Sequence, residues 1–156
     1  MFQLKPEVRT TLENINFIDN YRELSEKYSF NPDDSFESYE ISEVLNLFTE
    51  LGYKASFDKK EKFFKIVDEI DSYKFQFNTS LRYGLVEFIW AVWKNNELQT
   101  GLPWGMLKQL LDGNDDDKIK KPVFRNYTDL KEILKDAFSM YDDFKRELVL
   151  VYESQL

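Results

Sequence analysis

The side chains that can do chemistry in this chain are carboxylates, hydroxyls and amines, because its 156 residues include no histidine and no cysteine. Histidine is the commonest general acid–base and transition-metal ligand near neutral pH, and cysteine supplies thiolate nucleophiles, disulfides and soft metal sites. Serine-triad hydrolases, cysteine proteases, zinc enzymes and histidine-dependent nucleases therefore fall away, leaving carboxylate, Lys or Tyr chemistry, or none. The carboxylates are concentrated in one place. Between Tyr28 and Tyr53 stand Asp33, Asp34, Glu37, Glu40, Glu43 and Glu50 without a single Lys or Arg. The positive end of a helix dipole accounts for Asp33, Asp34 and Glu37 but not for Glu43 and Glu50 further along. With the apolar stripe of that helix turned inward, Tyr39, Glu43, Asn46 and Glu50 fall together on its outer face. An exposed tyrosine among unbalanced carboxylates suits a cationic protein partner, against the plainer reading of a solvated face.

A second acidic run, Asp112-Gly113-Asn114-Asp115-Asp116-Asp117, invites a calcium reading because hard cations take oxygen ligands. The spacing fails it. Counted from Asp112, the position that an EF-hand reserves for glycine is Asp117, and the position of its closing glutamate is Val123. Lys118, Lys120 and Lys121 follow at once. This run is expected to be a mobile charged loop without a metal, with Asp115, Asp116 and Asp117 as further partner contacts. Glu87 lies between Val86 and Phe88 in the most apolar stretch. A lone buried carboxylate is costly, so a structural ion pair with Arg82 or a lysine of another strand is expected, ahead of acid–base work. Lys59, Lys60, Lys62 and Lys65 form the one basic cluster, interrupted by Asp58, Glu61 and Asp68. At a net charge of −8 the chain as a whole repels nucleic acid. No phosphate-binding glycine loop is present.

The elements that position these residues read as an α+β domain in the order α-α-β-β-β-β-α-α. Residues 7–28 carry Val8, Leu12, Ile15, Ile18, Tyr21 and Leu24 at helical steps, and Pro6 suits the helix start. After the break at Asn31 and Pro32, a second helix is expected to run to Leu51, with Ile41, Val44, Leu45, Phe48 and Leu51 inward and Gly52 as its stop. Strands are expected at 53–57, 63–67 and 73–78, in a mainly antiparallel, four-stranded sheet. Residues 85–93 are apolar on both alternations, so that strand is expected to be interior and covered on both faces. A short edge strand at 97–102 is a further option. A helix around Trp104 to Leu111, a long polar loop and one long helix from Asp129 to Tyr152 complete the order.

With no repeat or linker, the whole span 1–156 reads as one domain. Aromatics make up 17% of the residues, which points to a ring-rich core rather than to disorder. The segment Met1 to Pro6 lacks the apolar stretch of a signal peptide, and the apolar run 88–93 is too short for a bilayer, so a cytoplasmic, soluble protein is expected. In size, acidity, lack of His and Cys, and the Gly101–Trp104 segment before a long terminal helix, the chain resembles the immunity proteins of bacterial polymorphic-toxin and contact-dependent growth inhibition systems. The resemblance implies a non-catalytic, cofactor-free protein that neutralises a cognate, basic toxin domain by sitting on it, with no direct contact to nucleic acid or membrane. A nucleic-acid mimic acting against restriction enzymes, or a regulatory interaction protein, would use the same carboxylates.

Overall fold

A computed structural model describes residues 3–155; Met1 and Phe2, part of the N-terminal segment read above, lie outside them. The fold is α+β. Helices α1 (Pro6–Asn14), α2 (Phe17–Lys27) and α3 (Ile41–Glu50) precede strands β1 (Ser56–Asp58), β2 (Phe63–Ile70), β3 (Tyr73–Arg82), β4 (Leu85–Lys94) and β5 (Glu97–Pro103). Helices α4 (Trp104–Asp112) and α5 (Tyr127–Glu153) follow. The strands form an antiparallel meander in sequence order, so the sheet has five strands rather than four. Its joins are tight. Tyr83-Gly84 and Asn95-Asn96 each place two residues at positive φ, the backbone of two-residue hairpins that follows strand twist.

Alternation along the sheet puts one face inward. Val86, Phe88, Trp90 and Val92 of β4 join Tyr73, Phe75 and Phe77 of β3 in a core capped by α5. Trp90 lies at its centre, stacked on Phe144 and met by Trp104 and Phe17. β4 is interior, as expected, but its second face is not covered: Leu85, Glu87, Ile89 and Trp93 are only half-buried. Apolar residues on both alternations predict two covering layers only where chain crosses both faces. The described helices bury their apolar stripes against the aromatic face alone.

The single helix read over 7–28 is two. Asn16 adopts φ 53°, a left-handed conformation that asparagine tolerates better than most residues, and the Asn20 side-chain amide donates to the freed Ile15 carbonyl. The break turns Phe17 into the core in place of Ile15 and Ile18. The second helix begins only at Ile41, which is exposed rather than inward, because residues 35–40 are extended. α5 is continuous from end to end, and Asn126 caps it by accepting the Asp129 N–H. None of the described helices is long and apolar enough to cross a membrane.

Candidate partner-binding surface

Residues 31–43 form a strap held by bonds between backbone and side-chain groups. Asn31 accepts the Asp33 N–H, Pro32 to Asp34 make one tight helical turn, and Ser35 donates to the carbonyl of Tyr83. The Phe36 N–H reaches the Phe124 carbonyl at 2.9 Å, and the Phe36 ring meets Tyr127 edge-on. The Glu40 N–H donates to the Tyr127 hydroxyl at 2.8 Å. Because Ser35 sits so close to Gly84, a Cβ added there would lie 2.0 Å from the serine Cβ; only glycine permits the approach.

This strap turns Asp33, Asp34, Glu37, Glu40 and Glu43 to solvent. Among the described residues none of the five takes part in an ion pair. Arg125 is near enough to feel Asp34, but its guanidinium is hydrogen-bonded to Asp129 and lies over the Phe30 ring. Two members of the expected stripe are placed differently. Tyr39 is not an exposed anchor: it precedes α3, packs on Phe64 and Phe124, and donates to the Leu81 carbonyl. Glu50 is exposed but paired with Lys131 of α5 at 2.9 Å, a neutralisation invisible in a stretch free of basic residues. Asn46 and Glu43 remain on the outer face of α3.

The exposed aromatic beside the strap is Tyr83, overlooked in the sequence. It is 75% exposed at the β3–β4 turn with φ 56°, where a bulky side chain is strained. Its carbonyl is held by Ser35, and that of Gly84 by the Phe124 N–H. A Tyr-Gly pair between two apolar alternations was the available signal, since two-residue hairpins demand positive φ there.

The second acidic run is a cage. Lys108 is 2% exposed, and its ammonium donates to the carbonyls of Asn114 and Asp117 and pairs with Asp112 at 2.8 Å. Arg22 grips both oxygens of Asp117, at 2.7 and 3.3 Å. These bonds hold the Asp117 carboxyl below the usual carboxylate range, Arg22 foremost. For Asp112 desolvation is the largest single influence and raises it, but the bonds from Lys108 and the Asn114 N–H together outweigh it, so this carboxyl too is lowered. The loop is therefore anchored, not mobile. Its continuation bonds to Ser25 and Tyr28 of the α2 end and to Val86, and it buries Val123 and Phe124 completely or nearly so. Asp115 and Asp116 are exposed; Asp117 belongs to the cage.

Glu87 is half-exposed and paired with Lys121 of this loop at 3.0 Å, not with a strand neighbour. The pair borders two depressions. One, of about 370 Å³, lies against α4 and Tyr21; the other, of about 470 Å³, opens on the sheet beside Arg82 and Tyr83. Burial, helped by Glu87, pushes the Tyr21 hydroxyl up to about 12, so it stays protonated at neutral pH. Neither depression gathers a nucleophile with a base and a hydrogen-bond orienter, the arrangement covalent catalysis needs. No protein-family model matches the chain, and neither a curated protein nor a solved structure is significantly similar to it.

Proposed function

We propose that this protein acts in the cytoplasm as a non-catalytic inhibitor that neutralises a cognate basic protein, in the manner of a toxin-immunity protein, by binding it through the 31–43 strap and the Tyr83 turn. The observation that carries the reading is the set of five exposed carboxylates, unpaired among the described residues, on a hydrogen-bonded segment beside an exposed tyrosine. In the 112–117 run the fold pairs Asp112 and Asp117 internally, whereas none of the five strap carboxylates is paired among the described residues. Unpaired surface charge steers encounter with an oppositely charged partner, and a tyrosine, with only two side-chain torsions to fix, supplies contact area at little entropic cost.

The test is binding kinetics against the product of the adjacent gene. Reversing Glu37 and Glu43 to Lys should slow association about tenfold or more at low salt and leave dissociation nearly unchanged. Tyr83→Gly should instead speed dissociation, at a cost of roughly 1–3 kcal/mol in affinity. Association as fast as wild type in the double reversal would remove the strap from the interface.

A further inference from the structure

The depression of about 370 Å³ against α4 plays no part in the partner-binding reading. It exceeds the ~150 Å³ that encloses a benzene ring and falls at the small end of ligand sites, ~300–1,000 Å³. Two groups in its wall are left unused by the fold. The first is the Tyr21 hydroxyl. This side chain is 4% exposed, and Trp104 meets its ring edge-on. The comparably buried Tyr73, Tyr141 and Tyr152 bond their hydroxyls to Glu153, Asp68 and Gln99, but that of Tyr21 has no partner among the described residues. Nor is it sealed in the core, where the unpartnered side-chain atoms belong to Thr79, Trp90, Thr100 and Trp104. It therefore opens on the depression that Tyr21 lines, and it stays protonated at neutral pH, ready to donate.

The second is Gly105, exposed in the first turn of α4. Its φ is not positive, unlike that of Gly52, Gly84 and Gly113, and an added Cβ would meet nothing within 4 Å. Neither conformation nor packing asks for glycine here, and glycine is a poor helix former. Its effect is to bare the backbone: Gly105 lines the depression, and only main-chain atoms can do so. An N–H of the first turn has no intrahelical acceptor, and the N-cap residue, Pro103, supplies no side-chain one. Glycine at such a place lets a ligand approach the backbone closely.

We infer that this depression binds a small, uncharged aromatic molecule of one or two rings, carrying a hydrogen-bond acceptor for the Tyr21 hydroxyl and the Gly105 N–H. The rings of Phe88 and Trp104 and the Met106 thioether in the wall suit an aromatic body. The charges select no ion. Lys108, Lys118 and Lys121 line the depression against Glu87, Asp115 and Asp117. Lys121 pairs with Glu87, Lys108 and Arg22 hold Asp117, and the exposed Lys118 and Asp115 cancel in sign. An ionised ligand would lose water beside apolar walls without a net countercharge to replace it. The positive end of α4 instead favours the negative end of an acceptor dipole at Gly105, as in a carboxamide oxygen.

The experiment titrates the full, isotope-labelled chain with three probes of one shape and different charge: cinnamamide, cinnamate and cinnamylamine. Cinnamamide should bind more tightly than either ion, with a dissociation constant of roughly 100–500 µM, and should shift the Gly105 amide and the Trp104 indole N–H most. Gly105→Leu fills the depression from an unstrained backbone; it should abolish binding while the melting temperature stays level or rises. Tyr21→Phe should weaken cinnamamide about tenfold, yet leave the melting temperature and the binding of acceptor-free propenylbenzene unchanged, since no protein group loses a bond. A cinnamamide dissociation constant above about 5 mM overturns the inference, as does an ion that binds as tightly. Wild-type affinity for cinnamamide in either variant overturns it too. Every readout concerns the depression alone, so its failure leaves the strap reading standing.

Discussion

Two stretches of this chain are rich in aspartate and glutamate, and the fold treats them oppositely. The 112–117 run is folded around the Lys108 ammonium and gripped by Arg22, so two of its four aspartates, Asp112 and Asp117, are neutralised inside the molecule. The 31–43 strap is held by hydrogen bonds and aromatic packing, and its carboxylates stay in water outside any ion pair among the described residues. Acidic composition is thus a structural device in one place and a free surface in the other. The difference lies in whether a helix delivers a cation. Lys108 comes from the helix just before its loop, and Arg22 from a helix 95 residues away from Asp117. Among the described residues no Lys or Arg forms an ion pair with a strap carboxylate.

The variant expected to have the largest effect acts on the point the two regions share. Phe124 is fully buried, and its carbonyl receives the Phe36 N–H. Phe124→Ala should cost about 4 kcal/mol in urea denaturation, from the lost burial and the cavity it leaves. It should also raise amide exchange at Phe36 ahead of exchange in β4.

Next in size is the cage. Lys108→Ala removes a buried cation and strands two carbonyls and a carboxylate, which should cost about 3 kcal/mol. Asp33→Asn and Glu37→Gln should stay within ~0.5 kcal/mol, as unpaired surface groups do. Equal losses from the two regions would break the contrast between them.

Acid titration sharpens it further. Asp112, Asp117 and Asp129 are held below the ordinary carboxylate value, Asp129 chiefly by its hydrogen bonds from Arg125. Their stabilisation is complete above the unfolded value near ~4 and is lost as pH falls through the lower folded values. The melting temperature should therefore drop below about pH 4, and the drop should shrink in a chain carrying Asp112→Asn and Asp117→Asn. At the other extreme, burial pushes Tyr21 and Tyr152 up to about 12. Their contribution is complete below ~10 and fades as pH rises from there toward the folded values.

The smallest effect concerns Tyr83. Tyr83→Gly relieves a side chain at φ 56° and should leave stability unchanged or raise it by about 0.5 kcal/mol, even as partner binding weakens.

Periodicity made the α+β order, the interior position of β4 and the unbroken α5 legible, because each rests on a long run of regularly spaced apolar residues. It did not show that Asn16 would interrupt the first helix, since a left-handed asparagine leaves the apolar spacing intact on both sides. The acidic character of residues 33–43 was readable; its anchor was not. Tyr39 and Tyr83 are equivalent by composition, and only the contacts with Phe64, Phe124 and the Leu81 carbonyl place the first inside and the second out. The ion pairs of Glu50 and Asp117 are illegible in the sequence for one reason: Lys131 and Arg22 are remote in sequence and adjacent in space.

The most direct test of an exposed strap that steers a basic partner is the salt dependence of association, compared between the two acidic regions. Reversal of Glu37 and Glu43 to Lys should slow association about tenfold at low salt and flatten its dependence on ionic strength, since steering is what salt screens. Reversal of Asp115 and Asp116 to Lys should change both by a factor of about two or less, because that loop lies beside its own cations. Equal slowing by the two pairs, or a wild-type rate that ignores salt, would contradict the account.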